Sequence, residues 1–204
     1  MKPTLRDIAK TVGVSPATVS LVLRDKGNIS PDTRDQVLKV AADTPPEIRM
    51  TTFSILMARF KGDMLGLAAG AGAISRLKPG DRVLIAEACS HHALADDIGR
   101  VKIPRWLRQY AGGNLEVEVR SGRDFPEDLT PYALIVQCGG CTVTRKQILV
   151  RQYRAARQGV PMTNYGMAIS VSQGVIERAL ECFPAALDAY RRGKMMAADD
   201  QTSP

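Results

Sequence analysis

The sequence predicts an α/β protein in which a small all-α module precedes a domain built on a parallel sheet. Residues 4–42 contain three short helical patterns separated by turn residues. After the helix-breaking segment at 41–46 (AADTPP), short apolar runs typical of strands alternate with helical segments, which is the pattern of a parallel sheet with crossover helices. We therefore predict domains at 1–48 and 49–194, followed by a flexible tail at 195–204.

Composition limits the classes of protein to which the chain can belong. Of its 204 residues, 45% are hydrophobic and 24% are charged, which is typical of a soluble chain with a real core and excludes collagen-like, disulfide-scaffold and disordered classes. The N-terminus lacks the apolar segment of a secretory signal, and the longest uncharged stretch, 158–176, contains a proline and does not suit a membrane span. We expect a cytoplasmic protein whose four cysteines stay reduced.

The first three helices each begin at a recognisable cap. Thr4 precedes a helix whose apolar residues share one face. Gly13 then ends this helix, and Ser15 with Pro16 and Ser30 with Pro31 give two further cap-and-proline starts. Two short helices joined by a glycine turn predict a helix-turn-helix motif, whose second helix enters the major groove of DNA. A small helical bundle with no DNA partner explains the same pattern equally well.

Residues 2–38 resemble the LacI-family headpiece over the whole run KPTLRDIAKTVGVSPATVSLVLRDKGNISPDTRDQVL. The resemblance implies double-stranded DNA as a partner. It implies that one group of side chains faces the bases, namely Ser15, Pro16, Ala17, Ser20 and Leu21. A second group is implied to lie near the phosphate backbone, namely Thr4, Leu5, Arg6, Arg24, Asn28, Ser30 and Thr33.

Two features depart from the LacI-family pattern. The hinge segment and sugar-binding-type domain that normally follow the headpiece do not appear, and residues 1–48 hold seven basic and six acidic groups, a net charge of only +1. Because phosphate neutralisation supplies much of the affinity for DNA, one headpiece alone should bind weakly. We expect operator binding to require a homodimer formed elsewhere in the chain.

The larger domain is predicted to contain four strands. In chain order, the sequence predicts a mostly helical segment at 53–77, a strand at 81–88, a helix at 103–110, a strand at 115–119, a buried strand at 133–136, a helix at 145–158, a strand at 161–164 and a helix at 171–180.

Three cysteines and a histidine follow two of these strands. Cys89, His91, Cys138 and Cys141 form the pattern C-x-H-x46-C-x-x-C, and parallel strands would bring both loops to the same carboxyl edge. The set suits a Cys3His zinc site or an iron–sulfur cluster with an exchangeable fourth position. A thiol–disulfide pair and unrelated core thiols are the alternatives. Cys182 lies outside the pattern, and we interpret it as a packing residue.

Residues 39–184 resemble the C-terminal portion of HydF, the family of maturation proteins for FeFe-hydrogenase. The similar stretches include LKPGDRVLIAEACSHH, DDIGRVKIPRWLRQY, CGGC and GVPMTNYGMAIS. The resemblance implies that Cys89, Cys138 and Cys141 hold a 4Fe-4S cluster, with His91 or solvent at the fourth position because Gln137 stands where the family often has histidine. It implies a scaffold and carrier for a two-iron precursor, with apo FeFe-hydrogenase and other maturation proteins as partners.

We expect no enzymatic activity from this sequence. The GTPase domain that begins HydF needs the phosphate-binding motif GxxxxGK[ST], and no such run occurs here. Arg145, Lys146, Arg151, Arg154 and Arg157 form a basic stripe on a predicted helix. A solvated surface is the simpler interpretation of the stripe, and docking of an acidic partner or anionic precursor is the alternative. A LacI-type regulator with an iron–sulfur sensing domain is the alternative function.

Overall fold

The computed structural model describes residues 5–23, 29–42, 50–88 and 97–195. The chain divides into two compact units, Met1–Thr52 and Phe53–Pro204. The predicted domain boundary at residues 48 and 49, and the predicted tail beyond Met195, lie outside the described residues.

The described residues of the first unit form three helices, as the cap pattern predicts: α1 (Leu5–Val12), α2 (Pro16–Leu23) and α3 (Pro31–Ala42). The hydroxyl of Ser15 accepts a hydrogen bond of 3.0 Å from the amide of Thr18, so one of the free N–H groups in the first turn of α2 gains a partner. The three helices bury one small apolar core formed by Ile8, Ala9, Val19, Val22, Val37 and Ala41.

The second unit is built on a four-stranded sheet with all strands parallel. The strands are β1 (Arg82–Ala86), β2 (Glu116–Arg120), β3 (Leu134–Gln137) and β4 (Met162–Asn164), in the spatial order β2-β1-β3-β4. The central strands β1 and β3 are almost entirely buried, which explains their continuous apolar runs, whereas β2 lies at an edge and alternates. The predicted α/β fold class is therefore confirmed.

Helices and helical turns cover the sheet. They are α4 (Phe53–Lys61), α5 (Met64–Gly72), a 3-10 turn (Ala73–Arg76), a π-helical turn (Ile98–Lys102), α6 (Ile103–Ala111), α7 (Arg145–Arg157), α8 (Tyr165–Ser172), α9 (Ile176–Leu180) and α10 (Pro184–Met195). Strands and helices share a single large core. Within the described ranges, no helix combines the length and the apolar character needed to cross a bilayer.

Three elements differ from the sequence-based expectation. The helical segment at 53–77 is interrupted before Asp63, whose carboxylate accepts hydrogen bonds from the amides of Leu65 and Gly66 and so begins a new helix. The single helix predicted at 171–180 is wrong, because the chain turns between α8 and α9 around Gly174. Helix α10, which packs against α5, is absent from the prediction.

Candidate metal centre and nucleic-acid interface

Cys138 lies directly beyond β3, at the carboxyl edge of the sheet. Its amide donates a hydrogen bond of 2.9 Å to the carbonyl of Ala86, which continues the pairing of β3 with β1 by one residue. Its sulfur accepts a hydrogen bond of 3.0 Å from the amide of Ala88. Because Ala88 directly precedes Cys89 in the sequence, this bond brings the chain to the Cys138 sulfur one residue before Cys89.

Of the four predicted metal ligands, the structure describes two. Cys138 is partly buried and Cys141 is exposed, while Cys89 and His91 lie outside the described residues. In the described part of the chain, no three histidine, cysteine or acidic side chains are grouped closely enough to hold a metal ion. The two described cysteines nevertheless lie on one short loop, and their thiols are the donors that iron–sulfur clusters and zinc prefer.

The loop between the two cysteines depends on glycine at one position. Gly140 has a φ of 63°, and a Cβ atom there would lie 2.9 Å from the Cδ1 atom of Ile148. A side chain at this position would therefore be strained by both its backbone conformation and its neighbour. Gly140 thus permits the tight return of the chain toward Cys141.

Lys61, at the end of α4, holds the same loop from outside. Its Nζ atom donates hydrogen bonds to the carbonyls of Gly140, Cys141 and Val143, at 3.1, 3.4 and 2.6 Å. These bonds use all three donors of the ammonium group and bring a positive charge beside the cysteine loop. Nothing in the sequence around Lys61 indicates this role, because its partners lie about eighty residues further along the chain.

Arg151 reaches the cysteine loop from α7 through Gln137. The Nη1 atom of Arg151 donates to Oε1 of Gln137 at 2.9 Å, and Nε2 of Gln137 lies 3.5 Å from the sulfur of Cys138 as a donor. Arg151 is only 9% exposed. Burial lowers the pKa of its guanidinium, and the neighbouring Cys138 acts in the opposite direction.

The interpretation of the basic stripe as a solvated surface is wrong for part of its length. Arg151 and Arg154 both stack on the ring of Phe125, with guanidinium carbons 4.9 and 5.5 Å from its centroid, and Arg154 donates to the carbonyl of Pro126 at 2.7 Å. Only Arg145, Lys146 and Arg157 are exposed.

A buried carboxylate follows β1 at the same edge of the sheet. Glu87 is 1% exposed, and Arg100 donates to its two oxygens at 3.2 and 2.8 Å. The hydroxyl of Ser121 adds a third hydrogen bond of 2.8 Å. The hydrogen bonds to Glu87 raise the pKa of Arg100 above its ordinary value. Sequence reasoning missed Glu87, although an acidic residue after a buried strand is a recognisable signal.

Tyr165 lies directly after β4 and is a further polar side chain that the sequence reasoning missed. Its hydroxyl is buried and makes no hydrogen bond within the described residues. Burial raises the pKa of this phenol, and the nearby Cys138 and Glu87 act in the same direction. The carboxyl edge therefore carries a thiol, a carboxylate and a phenol that approach it from three different strands.

The predicted DNA-facing residues lie mainly on the exposed side of α2. Val19 and Val22 are buried in the core of the first unit, while Pro16, Ala17 and Leu21 are exposed and Ser20 is half-buried. The predicted residues outside α2 that the structure describes are also exposed or partly exposed: Leu5, Arg6, Ser15, Ser30 and Thr33. Thr4, Arg24 and Asn28 lie outside the described residues. Helix α2 thus presents one face that its own unit does not cover.

Comparison with known families matches the two units to different proteins. Residues 4–44 match the family of bacterial regulatory proteins named lacI. Residues 66–182, more than half of the chain, match the hydrogen maturase F tetramerization domain. The two predicted resemblances are therefore confirmed.

Two curated relatives are similar to the N-terminal part of the chain. The HTH-type transcriptional regulator GalS of Salmonella typhimurium is 56% identical over 36 residues, which are 18% of this chain and 11% of GalS. The maltose regulon regulatory protein MalI of Vibrio furnissii is also 56% identical over 36 residues, which are 26% of MalI. The chain therefore spans only a small part of these relatives.

Proposed function

Because this chain belongs to the hydrogen maturase F tetramerization domain family, we propose that its larger unit is a non-enzymatic scaffold for a 4Fe-4S cluster. Cys89, Cys138 and Cys141 would hold the cluster, with His91 or solvent at the fourth position. When bound, such a cluster offers an iron with an exchangeable position, to which a two-iron precursor can attach before transfer to apo FeFe-hydrogenase. We place this activity in the cytoplasm, where cysteines stay reduced.

One observation supports the ligand set above all others. The hydrogen bond of 3.0 Å from the Ala88 amide to the Cys138 sulfur brings the residue before Cys89 into contact with the CGGC loop. Two segments fifty residues apart in sequence thus meet at one sulfur, as a shared inorganic centre requires.

The surroundings of the cysteine loop favour an anionic centre. Cluster-bound thiolates and sulfides carry negative charge, and hydrogen bonds to the sulfurs stabilise it. Lys61 and Arg151 bring two cations to the loop, and the Ala88 amide and the Gln137 side chain donate toward the Cys138 sulfur. Tetrahedral zinc on three cysteines and His91 is the competing occupant.

Anaerobic reconstitution tests this proposal. The purified full chain is incubated with ferrous iron, sulfide and a thiol reductant, and then desalted and analysed for iron, sulfide and zinc. We expect four irons and four sulfides for each chain, and an EPR signal of a reduced 4Fe-4S cluster after dithionite treatment. Zinc alone at the site, with no such signal, would contradict the proposal.

DNA binding by the first unit is a second candidate function, supported by the uncovered face of α2. The relatives of this unit are named as a transcriptional regulator and a regulon regulatory protein, and the family of the larger unit is named for tetramerization. An assembly of several chains would supply the paired headpieces that a symmetric operator requires. The cluster would then sense iron, oxygen or hydrogenase status.

Selection from random-sequence duplexes tests DNA binding by the full chain. We expect enrichment of an inverted repeat, and we expect Leu21→Ala to weaken binding to it by about fivefold or more, the cost of one lost base-pair contact. Leu38→Ala is the matched control, because Leu38 is a similarly exposed leucine on α3. Failure to enrich any sequence would contradict the second function.

A further inference from the structure

We infer that Arg151 is an electrostatic positioning residue for the metal centre, and that its buried charge favours the reduced form of the cluster. The inference rests on the proposed function and deepens it, because it assigns a role to a side chain that is not itself a ligand.

Arg151 is a buried cation with neutral partners. Its guanidinium donates to the Gln137 side chain and the Gly122 carbonyl and stacks on the Phe125 ring. In the described part of the chain it pairs with no carboxylate. A charge that is removed from water and left uncompensated is unfavourable, and these neutral groups offer the Arg151 cation no counter-charge.

The geometry points to Cys138 as the place where that counter-charge belongs. Gln137 accepts from Arg151 through its oxygen and turns its amide nitrogen toward the Cys138 sulfur. This arrangement orients the amide, because the guanidinium can only donate and the thiolate accepts. A negative centre on Cys138 would therefore receive both an oriented donor and the attraction of the buried guanidinium.

Arg154 shares the structural contacts of Arg151 but not its link to the cysteine. It lies one helical turn further along α7, stacks on the same Phe125 ring and donates to a carbonyl of the same loop. It makes no contact with Gln137 or Cys138 among the interactions of the described residues. Arg154 is therefore the matched control for stacking and loop attachment without the connection to the cysteine.

The expected consequence is a change in reduction potential. Reduction adds one electron to the cluster without making or breaking a bond, so the reduced form carries one more negative charge. A nearby cation in a region of low dielectric stabilises that form. Removing the charge of Arg151 should shift the midpoint potential to more negative values, by about the 59 mV that corresponds to a tenfold change in the ratio of reduced to oxidised cluster.

Redox titration with dithionite, followed by EPR, tests the inference on the reconstituted full chain. We compare wild type with Arg151→Met, Arg151→Lys and Arg154→Met. We expect the negative shift in Arg151→Met, a potential near that of wild type in Arg151→Lys, and little change in Arg154→Met. If Arg151→Met takes up no cluster, Arg151→Gln replaces it, because glutamine keeps a hydrogen-bond donor at this position without the positive charge.

The two levels of the proposal fail in different ways. If wild type takes up the cluster and Arg151→Met has the same midpoint potential, this inference alone is overturned. An equal shift in Arg151→Met and Arg154→Met would also overturn it, because the effect would then be that of any nearby arginine. A wild-type chain that takes up no 4Fe-4S cluster would overturn the proposed function and this inference with it.

Discussion

The amide of Ala88 donates a hydrogen bond to the sulfur of Cys138, across 3.0 Å and between the ends of two neighbouring strands. The parallel register that pairs Ala86 with Gln137 sets this contact, because both strands then end at the same height. The metal centre proposed for this hydrogen maturase F family member therefore depends on sheet topology as well as on the spacing of cysteines.

Replacing Lys61 should loosen the CGGC loop. In Lys61→Met, the carbonyls of Gly140, Cys141 and Val143 lose their shared donor, and we expect the free energy of unfolding to fall by about 2 kcal/mol. Chemical denaturation measures this change, and the rate of iron loss to a chelator measures loop opening. Lys78→Met, at an exposed lysine, is the control. Equal stability and equal iron retention in wild type and Lys61→Met would contradict this role.

Replacing Arg100 should lower the free energy of unfolding more than replacing its partner Glu87. In Arg100→Met, the buried carboxylate of Glu87 loses two hydrogen bonds and the positive charge of Arg100, which is strongly unfavourable. In Glu87→Gln, the half-exposed Arg100 can turn to solvent, so the loss should be only about 1 kcal/mol. Denaturant titration of the two variants compares them, and we expect Arg100→Met to be the less stable. The reverse order would show that the burial of Glu87 is not the dominant cost.

The contact between Tyr132 and Glu118 predicts two pH-dependent changes in stability. The Tyr132 hydroxyl donates to Glu118 at 2.7 Å and, with Arg120, lowers the pKa of this carboxyl below its ordinary value of 4.5. Burial and Glu118 raise the pKa of Tyr132 to about 12. The ionised carboxylate of Glu118 stabilises the fold at pH values above its ordinary pKa. This contribution to the free energy of unfolding is lost as the pH falls through the lowered pKa of the folded state. Stability from Tyr132 is present below pH 10 and is lost as the pH rises toward 12.

Denaturant titration across the pH range checks both changes in Tyr132→Phe. We expect this variant to have a shallower loss of stability than wild type on the acid side and between pH 10 and 12. Burial also raises the pKa values of Tyr165 and Tyr190. Both tyrosines are present in wild type and in Tyr132→Phe, so their effect on stability cancels in the comparison. Parallel curves for wild type and Tyr132→Phe would contradict the prediction.

Much of the fold was predictable because its strands have clear local patterns. The apolar runs of β1 and β3 and the alternation of β2 each reflect one position in the sheet. The break between α8 and α9 was not predictable in the same way, since apolar residues continue on both sides of Gly174. Helix α10 was missed because small alanines and a glycine pack against α5 without a strong apolar stripe.

The site was predictable only where its residues follow strands. Cys138 and Cys141 could be placed at the sheet edge from the strand before them. Lys61 and Arg151 could not, because each joins the site through side-chain hydrogen bonds that no local sequence pattern indicates. The pattern of α7 indicates only a basic helix, and the ring of Phe125, which covers Arg151, lies on another segment.

Cysteine replacement followed by anaerobic reconstitution tests the central claim most directly. Cys138→Ser and Cys141→Ser are compared with wild type and with Cys182→Ser, a partly buried cysteine outside the pattern. If the CGGC loop holds the cluster, each of the first two variants loses most of its bound iron and its EPR signal, and Cys182→Ser keeps both. Full iron content and an unchanged signal in Cys138→Ser and Cys141→Ser would contradict the account.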